Sequence, residues 1–172
     1  YKEGEQEKVI ISTQFESTHA REAFPCIDEP AAKATFDLTL VSPKVESILG
    51  NTPIKSQDEK EERITTVFEK SPIMSTYLVA FAIGDLASLG GKTKRGTEVN
   101  VFATHEHAGR LPFSLDVGIR CLEFYEDYFK INYPLPKLDM VAIPEFAAGA
   151  RENWGFVPYR ETAMLFDDTN SS

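Results

Sequence analysis

Residues 97–130, TEVNVFATHEHAGRLPFSLDVGIRCLEFYEDYFK, contain the change of hydrophobic period that decides the fold class. The stretch begins with Val99 and Val101 in alternation with Glu98 and Asn100, which is typical of a strand with one buried face. Further on, apolar residues recur at a spacing of about 3.6, and Pro112 falls in the first turn, where a helix tolerates proline. The apolar stripe consists of Leu111, Leu115, Ile119, Leu122, Tyr125 and Phe129. The pattern predicts a strand followed by an amphipathic helix that packs its stripe against other elements.

The residues before this stretch read as strands. Four segments are rich in β-branched and aromatic residues, namely VIISTQF (9–15), TFDLTLV (35–41), RITTVFE (63–69) and TYLVAFAI (76–83). After the helix, LDMVAIP (138–144) reads as one more strand. Strands first and mixed elements afterwards predict an α+β chain, with the end of a β domain at 1–90 and the start of an α+β domain at 91–172.

Composition excludes several classes of protein. The chain has 172 residues, 42% of them hydrophobic, so it can bury a core. Its 27 acidic and 18 basic residues give a net charge of −9, which disfavours nucleic acid as a partner and suits a cytoplasmic protein. The longest apolar runs are far shorter than the roughly 20 residues of a membrane helix, so no membrane partner is expected. We expect Cys26 and Cys121 to be buried free thiols.

The two ends of the chain predict a piece of a longer protein. The chain opens at Tyr1 rather than at methionine, and it stops at DDTNSS (167–172) without a closing element.

The stretch HEHAG (105–109) invites comparison with the zinc motif H-E-x-x-H. In that motif two histidines lie one helical turn apart, but here Gly109 occupies the place of the second ligand. His105 and His107 leave a metal site open, while exposed loop histidines are the commoner interpretation. With no nucleophile–histidine pattern either, we expect no catalytic and no metal residue in this chain.

The stretch FAAGARENWG (146–155) combines small residues with a carboxylate and the only tryptophan. We call residues 149–153 the GAREN segment. Its small residues allow another backbone to approach closely, so Gly149 and Ala150 could pair with an extended peptide. Glu152 would then hold a cation such as a peptide α-amine. The alternative is a tight turn with an exposed salt bridge from Glu152 to Arg151 or Arg160.

Several segments resemble one enzyme family. They are TQFESTHAREAFPCIDEP (13–30), KSPIMSTYLVAFAIGDL (70–86), YPLPKLDMVAIPEFAAGARENWG (133–155) and YRETAMLFD (159–167). In content and order they resemble the zinc aminopeptidases of the gluzincin type. The resemblance implies the end of a saddle-like β amino-terminal domain, followed by the start of a thermolysin-like catalytic domain that is cut before its H-E-x-x-H motif.

The same resemblance implies roles for the GAREN segment. Glu152 would bind the substrate's α-amine, Gly149 and Ala150 would align its backbone, and Asn153 would help to hold the loop. In the family a methionine occupies the position of Arg151 and borders the first specificity pocket. An arginine there could favour an acidic first residue, repel the incoming amine, or point to solvent without consequence.

Two residues of the β domain complete the implied substrate site. Gln14 and Glu16 match positions that line the first specificity pocket and assist at the amine. The expected partners are therefore peptides with a free amino terminus and the remainder of the catalytic domain.

The expected function is that of one portion of an aminopeptidase that removes single residues from peptide amino termini. The resemblance implies Zn²⁺ as cofactor in the full-length parent, with ligands downstream of Ser172 and a glutamate as general base. The isolated chain is then expected to be inactive. The alternatives are an inactive peptide-binding or interaction module from a truncated product, and a gene fragment with no role.

Overall fold

A computed structural model describes residues 1–166, and the chain divides into two compact units. The β unit comprises Val9–Asp85 and Glu152–Phe156. The mixed unit comprises Tyr1–Lys8, Leu86–Arg151 and, of the described residues, 157–166. The predicted boundary between residues 90 and 91 concerns family domains rather than compact units, and it stays a prediction.

Residues 1–166 form short strands and one long helix, in agreement with the predicted α+β class. The strands are β1 Lys2–Glu3, β2 Gln6–Glu7, β3 Ile11–Ser12, β4 Thr39–Pro43, β5 Ser47–Gly50, β6 Ile54–Lys60, β7 Arg63–Phe68, β8 Phe81–Gly84, β9 Ala87–Lys92, β10 Glu98–Ala103, β11 Lys137–Ile143 and β12 Phe156–Arg160. The α-helices are α1 Ala20–Ala23, α2 Leu111–Phe129 and α3 Glu161–Met164, and 3-10 helices cover Thr76–Leu78 and His105–Arg110.

The β unit holds two antiparallel three-stranded sheets, ordered β3-β8-β5 and β4-β7-β6. Strand β7 shows why they form, because its alternating sequence turns Ile64, Thr66 and Phe68 inward and their neighbours outward. Ile64 and Phe68 pack with Ile48 in one apolar cluster of this unit. The alternation seen in the sequence is therefore the alternation between core and solvent.

The mixed unit is built on a sheet ordered β12-β11-β10-β9. Strand β10 pairs antiparallel with β9 and parallel with β11. A parallel neighbour requires a crossover connection, and α2 lies in the chain between β10 and β11. Val99, Val101 and Val141 are fully buried, as expected for strands covered by a helix.

Helix α2 packs on the sheet through the first half of its apolar stripe. A Cβ at Gly118 would lie 2.7 Å from Sδ of Met140, so a larger residue there would require the Met140 side chain to move. The prediction that the whole stripe is packed was wrong for Tyr125 and Phe129, which are 54% and 59% exposed. These rings stack on each other at a centroid distance of 5.8 Å, because residues four apart share a helix face.

A charged pair is buried in strand β11. Nζ of Lys137 lies 2.5 Å from Oδ2 of Asp139, and Nδ2 of Asn100 donates a 2.9 Å hydrogen bond to Oδ1 of Asp139. Burial lowers the pKa of Lys137, and the facing carboxylate opposes that shift. Removing the charge of either residue would therefore lower the stability of the folded chain.

The substitution Asp139→Asn should therefore destabilise the chain by about 3 kcal/mol, because it keeps the acceptor for Asn100 but removes the negative charge beside a buried ammonium. The double variant Lys137→Met/Asp139→Asn should recover most of that loss. Urea unfolding of the three proteins measures both effects. Equal stability of the two variants would contradict the role assigned to the charge.

Candidate functional site

The first three residues of the GAREN segment extend the sheet of the mixed unit. Ala150 forms an antiparallel bridge with Tyr159 of β12. On either side of the bridge, the N–H of Arg160 donates to the carbonyl of Gly149 at 2.9 Å, and the N–H of Arg151 donates to the carbonyl of Pro158 at 3.1 Å. Main-chain groups of an extended chain alternate in direction, so those of Ala150 face away from β12. We call them the outer edge.

Strand pairing ends at Arg151 for a chemical reason. In a continued ladder, the residue opposite Arg151 would return a hydrogen bond to its carbonyl. That residue is Pro158, which has no N–H to donate. The segment is thus hydrogen-bonded to β12 at Gly149 and Arg151, and this pairing does not continue to Glu152.

The loop that leads into the segment is held by one side chain. Arg160 donates from Nε to the carbonyl of Phe146 at 3.0 Å and from Nη2 to the carbonyl of Ala147. The guanidinium and the main-chain N–H of Arg160 therefore both donate hydrogen bonds to carbonyls of residues 146–149. Arg160 is one of the two partners that the tight-turn interpretation offers to Glu152, and here it contacts main-chain carbonyls.

The last two residues of the GAREN segment belong to the β unit. Asn153 is buried, and its Nδ2 donates a 3.2 Å hydrogen bond to the carbonyl of Tyr77. The carbonyl of Asn153 accepts from the N–H of Phe156 at 3.1 Å, which closes a turn. Glu152 is exposed. The role of Asn153 in holding the loop for a substrate stays a prediction.

Asn51 ties the following residue, Trp154, to the same unit. Its buried amide donates 2.8 Å hydrogen bonds to the carbonyls of Leu78 and Trp154. Its Oδ1 accepts from the N–H of Ala80 at 2.9 Å. The indole of Trp154 packs against the apolar cluster that contains Phe15. One side chain thus satisfies main-chain groups from two distant parts of the sequence.

The predicted residues of the β domain lie beside each other. Gln14 is half-buried and Glu16 is exposed, and Nε2 of Gln14 lies 3.4 Å from the carbonyl of Glu16. The neighbouring Phe15 is buried in the cluster that includes Trp154. Their roles in a specificity pocket stay predictions.

The predicted site residues divide between the two units. The mixed unit contains Gly149, Ala150 and Arg151, whereas the β unit contains Gln14, Glu16, Glu152 and Asn153. The peptide bond between Arg151 and Glu152 is where the chain passes from one unit to the other.

The guanidinium of Arg151 lies close to the outer edge. Its Nη1 donates a 3.2 Å hydrogen bond to the carbonyl of Ala150, the preceding residue. Across the bridge, burial raises the pKa of Tyr159, and the nearby Cys121 adds to that shift. The phenol therefore stays neutral at physiological pH and contributes no charge to this part of the sheet.

The histidines of HEHAG lie in a 3-10 helix of the mixed unit. Nε2 of His107 is 3.6 Å from Oε1 of Glu161, and the N–H of Glu106 donates to Oε1 of Glu3. Within residues 1–166, no three His, Cys, Asp or Glu side chains are grouped closely enough to hold a metal ion.

Sequence reasoning named Arg160 only as a possible partner of Glu152, and it gave Asn51 no part in positioning the segment. Arg160 carried a signal, because a long donor at the end of a strand can reach the loop before that strand. Asn51 carried no signal, since its partner Trp154 lies 103 residues away.

Among the helices of residues 1–166, none is long and apolar enough to cross a membrane.

Two family profiles match the chain in the order that the resemblance implied. The Peptidase M1 N-terminal domain matches residues 1–78, and the Peptidase family M1 domain matches residues 113–172. The predicted succession of an amino-terminal β domain and the start of a catalytic domain is confirmed.

Individual relatives agree with the profiles. Aminopeptidase N of Lactococcus lactis subsp. lactis is 51% identical over 97% of this chain and 20% of the relative. Puromycin-sensitive aminopeptidase of Caenorhabditis elegans is 48% identical over 94% of this chain and 17% of the relative. Endoplasmic reticulum aminopeptidase 1 of Homo sapiens is 48% identical over 99% of this chain and 18% of the relative. The chain thus spans about a fifth of the length of the curated relatives it matches.

The substitution Asn51→Ala should destabilise the β unit by about 3 kcal/mol, because it leaves buried main-chain groups without partners. The emission of Trp154 should also shift to longer wavelength in native buffer. The exposed Asn132→Ala is the matched control and should change neither property. Urea unfolding and fluorescence measure the two effects, and wild-type values for Asn51→Ala would contradict the assignment.

Proposed function

The chain belongs to the M1 peptidase family, and on that premise we propose that the whole protein is a zinc-dependent aminopeptidase. It removes single residues from the amino terminus of peptides. This chain supplies the segment that receives the amino-terminal end of the substrate. It is a portion of the enzyme and holds no complete catalytic set.

The observation that supports this proposal is the outer edge, formed by the main-chain groups of Ala150 between two residues paired with β12. The edge belongs to an ordered sheet, because both flanking residues are hydrogen-bonded to β12. An extended peptide can add to such an edge through its own main chain, whatever its side chains are. Gly149 and Ala150 have no side chain beyond a methyl group, so they do not hinder the approach of a second backbone.

Glu152 follows the edge directly and would set where the peptide begins. Its carboxylate is exposed in the β unit, while its neighbour Asn153 is buried and hydrogen-bonded. A carboxylate anchored next to a pairing edge selects the α-ammonium of a peptide over an internal amide. In this proposal Gln14 and Glu16 line the pocket for the first side chain and assist at the amine.

Zinc and the general base lie in the part of the enzyme outside this chain. We place the zinc ligands beyond Ser172, where the resemblance to the family puts the H-E-x-x-H motif. When bound, zinc polarises a scissile carbonyl and lowers the pKa of a bound water. The isolated chain therefore holds substrate termini without hydrolysing them.

The proposed partners are peptides with a free amino terminus and the rest of the catalytic domain. Neither nucleic acid nor a membrane is a proposed partner, and the net charge of −9 supports the first exclusion. We place the protein in the cytoplasm. Both cysteines are free, and the expectation that they are buried was wrong, because Cys26 is half-buried and Cys121 is exposed on α2. Two free thiols support a reducing compartment. Because one relative is named for the endoplasmic reticulum, fractionation of cells that express the whole protein is the direct test.

The reading frame beyond Ser172 separates the enzyme from its alternative. The proposal requires H-E-x-x-H there and, further along a helix, a glutamate as third zinc ligand. A stop codon after Ser172 would instead leave an inactive module that holds peptide termini.

In the whole enzyme, Glu152→Gln should lower kcat/KM for unblocked peptides by about a hundredfold, because an ammonium loses its charged partner. Zinc content and the unfolding temperature should stay unchanged. Steady-state kinetics with a short unblocked peptide, metal analysis and thermal unfolding measure these properties.

The matched control is Glu62→Gln, which removes a carboxylate from an exposed turn of the β unit. It should have wild-type kinetics. The same peptide with an acetylated amino terminus should not be cleaved by any of the three proteins. Full activity of Glu152→Gln would remove Glu152 from the site.

A further inference from the structure

The exposed carboxylate of Glu152 depends for its position on the main chain around it. Before it, the N–H of Arg151 donates to the carbonyl of Pro158 at 3.1 Å. After it, the buried Asn153 donates to the carbonyl of Tyr77 at 3.2 Å. An exposed side chain meets a ligand in one geometry only if such neighbours keep its Cα in place.

The hydrogen bond from Asn51 to the carbonyl of Trp154 is shorter, at 2.8 Å, and its donor is itself fixed. The same Nδ2 also donates to the carbonyl of Leu78 at 2.8 Å. Oδ1 of Asn51 accepts from the N–H of Ala80 at 2.9 Å. The amide cannot turn or shift without losing at least one of these bonds, so it holds the carbonyl of Trp154 against the bend at residues 78–80.

A short primary amide is the side chain that meets these demands at position 51. It supplies two donors and one acceptor from a single small group. Aspartate of the same size would place an acceptor against two carbonyls, and alanine would leave all three main-chain groups without this partner. Asn51 is only 6% exposed, so water does not readily replace the amide.

We propose that Asn51 is a positioning residue for recognition of the substrate's α-amine. Acting through the carbonyl of Trp154, it keeps Glu152 where the carboxylate meets the α-ammonium. Asn51 itself touches neither the substrate nor zinc. The inference rests on the proposed function, because Asn51 acts through the role given there to Glu152.

A misplaced carboxylate weakens the ion pair with the amine although its charge is kept. Charge-assisted hydrogen bonds require short distances and good alignment, and a shift of about 1 Å can cost about a hundredfold in rate. A purely structural Asn51 would lower stability and leave recognition of the amine unchanged. The two roles therefore differ in what the loss of Asn51 does once Glu152 has no charge.

The experiment is a double-mutant cycle in the whole enzyme, with alanine 4-nitroanilide as substrate. Asn51→Ala and Glu152→Gln are made singly and together. Asn51→Asp repeats the cycle with a side chain of native size that keeps the acceptor for Ala80, in case the alanine variant does not fold. The matched control is Thr52→Val, because the buried hydroxyl of Thr52 donates to the carbonyl of Glu69, outside the GAREN segment.

Asn51→Ala should lower kcat/KM about tenfold, mainly by raising KM, because the amine is bound in the ground state as well as in the transition state. In the Glu152→Gln background, the same substitution should lower kcat/KM by no more than about twofold. Asn51→Asp should show the same dependence on the background. Thr52→Val should lower the unfolding temperature and leave kcat/KM unchanged in both backgrounds.

An equal loss of kcat/KM in both backgrounds, with either Asn51 variant, overturns the inference while the aminopeptidase activity remains. Wild-type kinetics of a folded Asn51 variant, or of Glu152→Gln, overturn it as well. If the wild type hydrolyses neither alanine nor leucine 4-nitroanilide, the proposed function itself fails, and the inference fails with it.

Discussion

The arrangement of the candidate site depends on the hydrogen bonds of one buried amide, that of Asn51. This side chain binds the carbonyl of Trp154, and with Asn153 it assigns residues 152–156 to the β unit. The three preceding residues are instead paired with β12 in the mixed unit. A segment of five residues therefore takes its conformation from two separate cores, and neither core alone defines it.

The hydrophobic periodicity of the sequence predicted the elements whose structure depends mainly on neighbouring residues. The helix expected from Leu111 onward is α2, and the alternation in RITTVFE is β7. The same reasoning was too simple for TYLVAFAI, where Thr76–Leu78 form a 3-10 helix before β8 begins at Phe81. Asn51 donates to Leu78 and accepts from Ala80, so a contact from elsewhere in the chain holds this bend.

The candidate site was partly predictable for the same reason. Small residues beside a carboxylate indicated a segment open to another backbone, and the structure pairs one side of that segment with β12. The spacing of residues in the sequence predicts neither the direction of the Arg151 side chain nor the hydrogen bonds of Arg160 to the loop. Both depend on which carbonyls are left unused by the sheet, and that is decided by Pro158 and the register of pairing.

The ring stack at the end of α2 affects how this chain behaves in concentrated solution. Phe124, Tyr125, Tyr128 and Phe129 are each more than half exposed, and their rings contact one another. Such a surface attracts its own copies, while a net charge of −9 keeps them apart. Salt shortens the range of the repulsion to about 10 Å at 0.1 M but leaves the apolar attraction intact. Colloidal stability of the fragment is therefore greatest at low ionic strength.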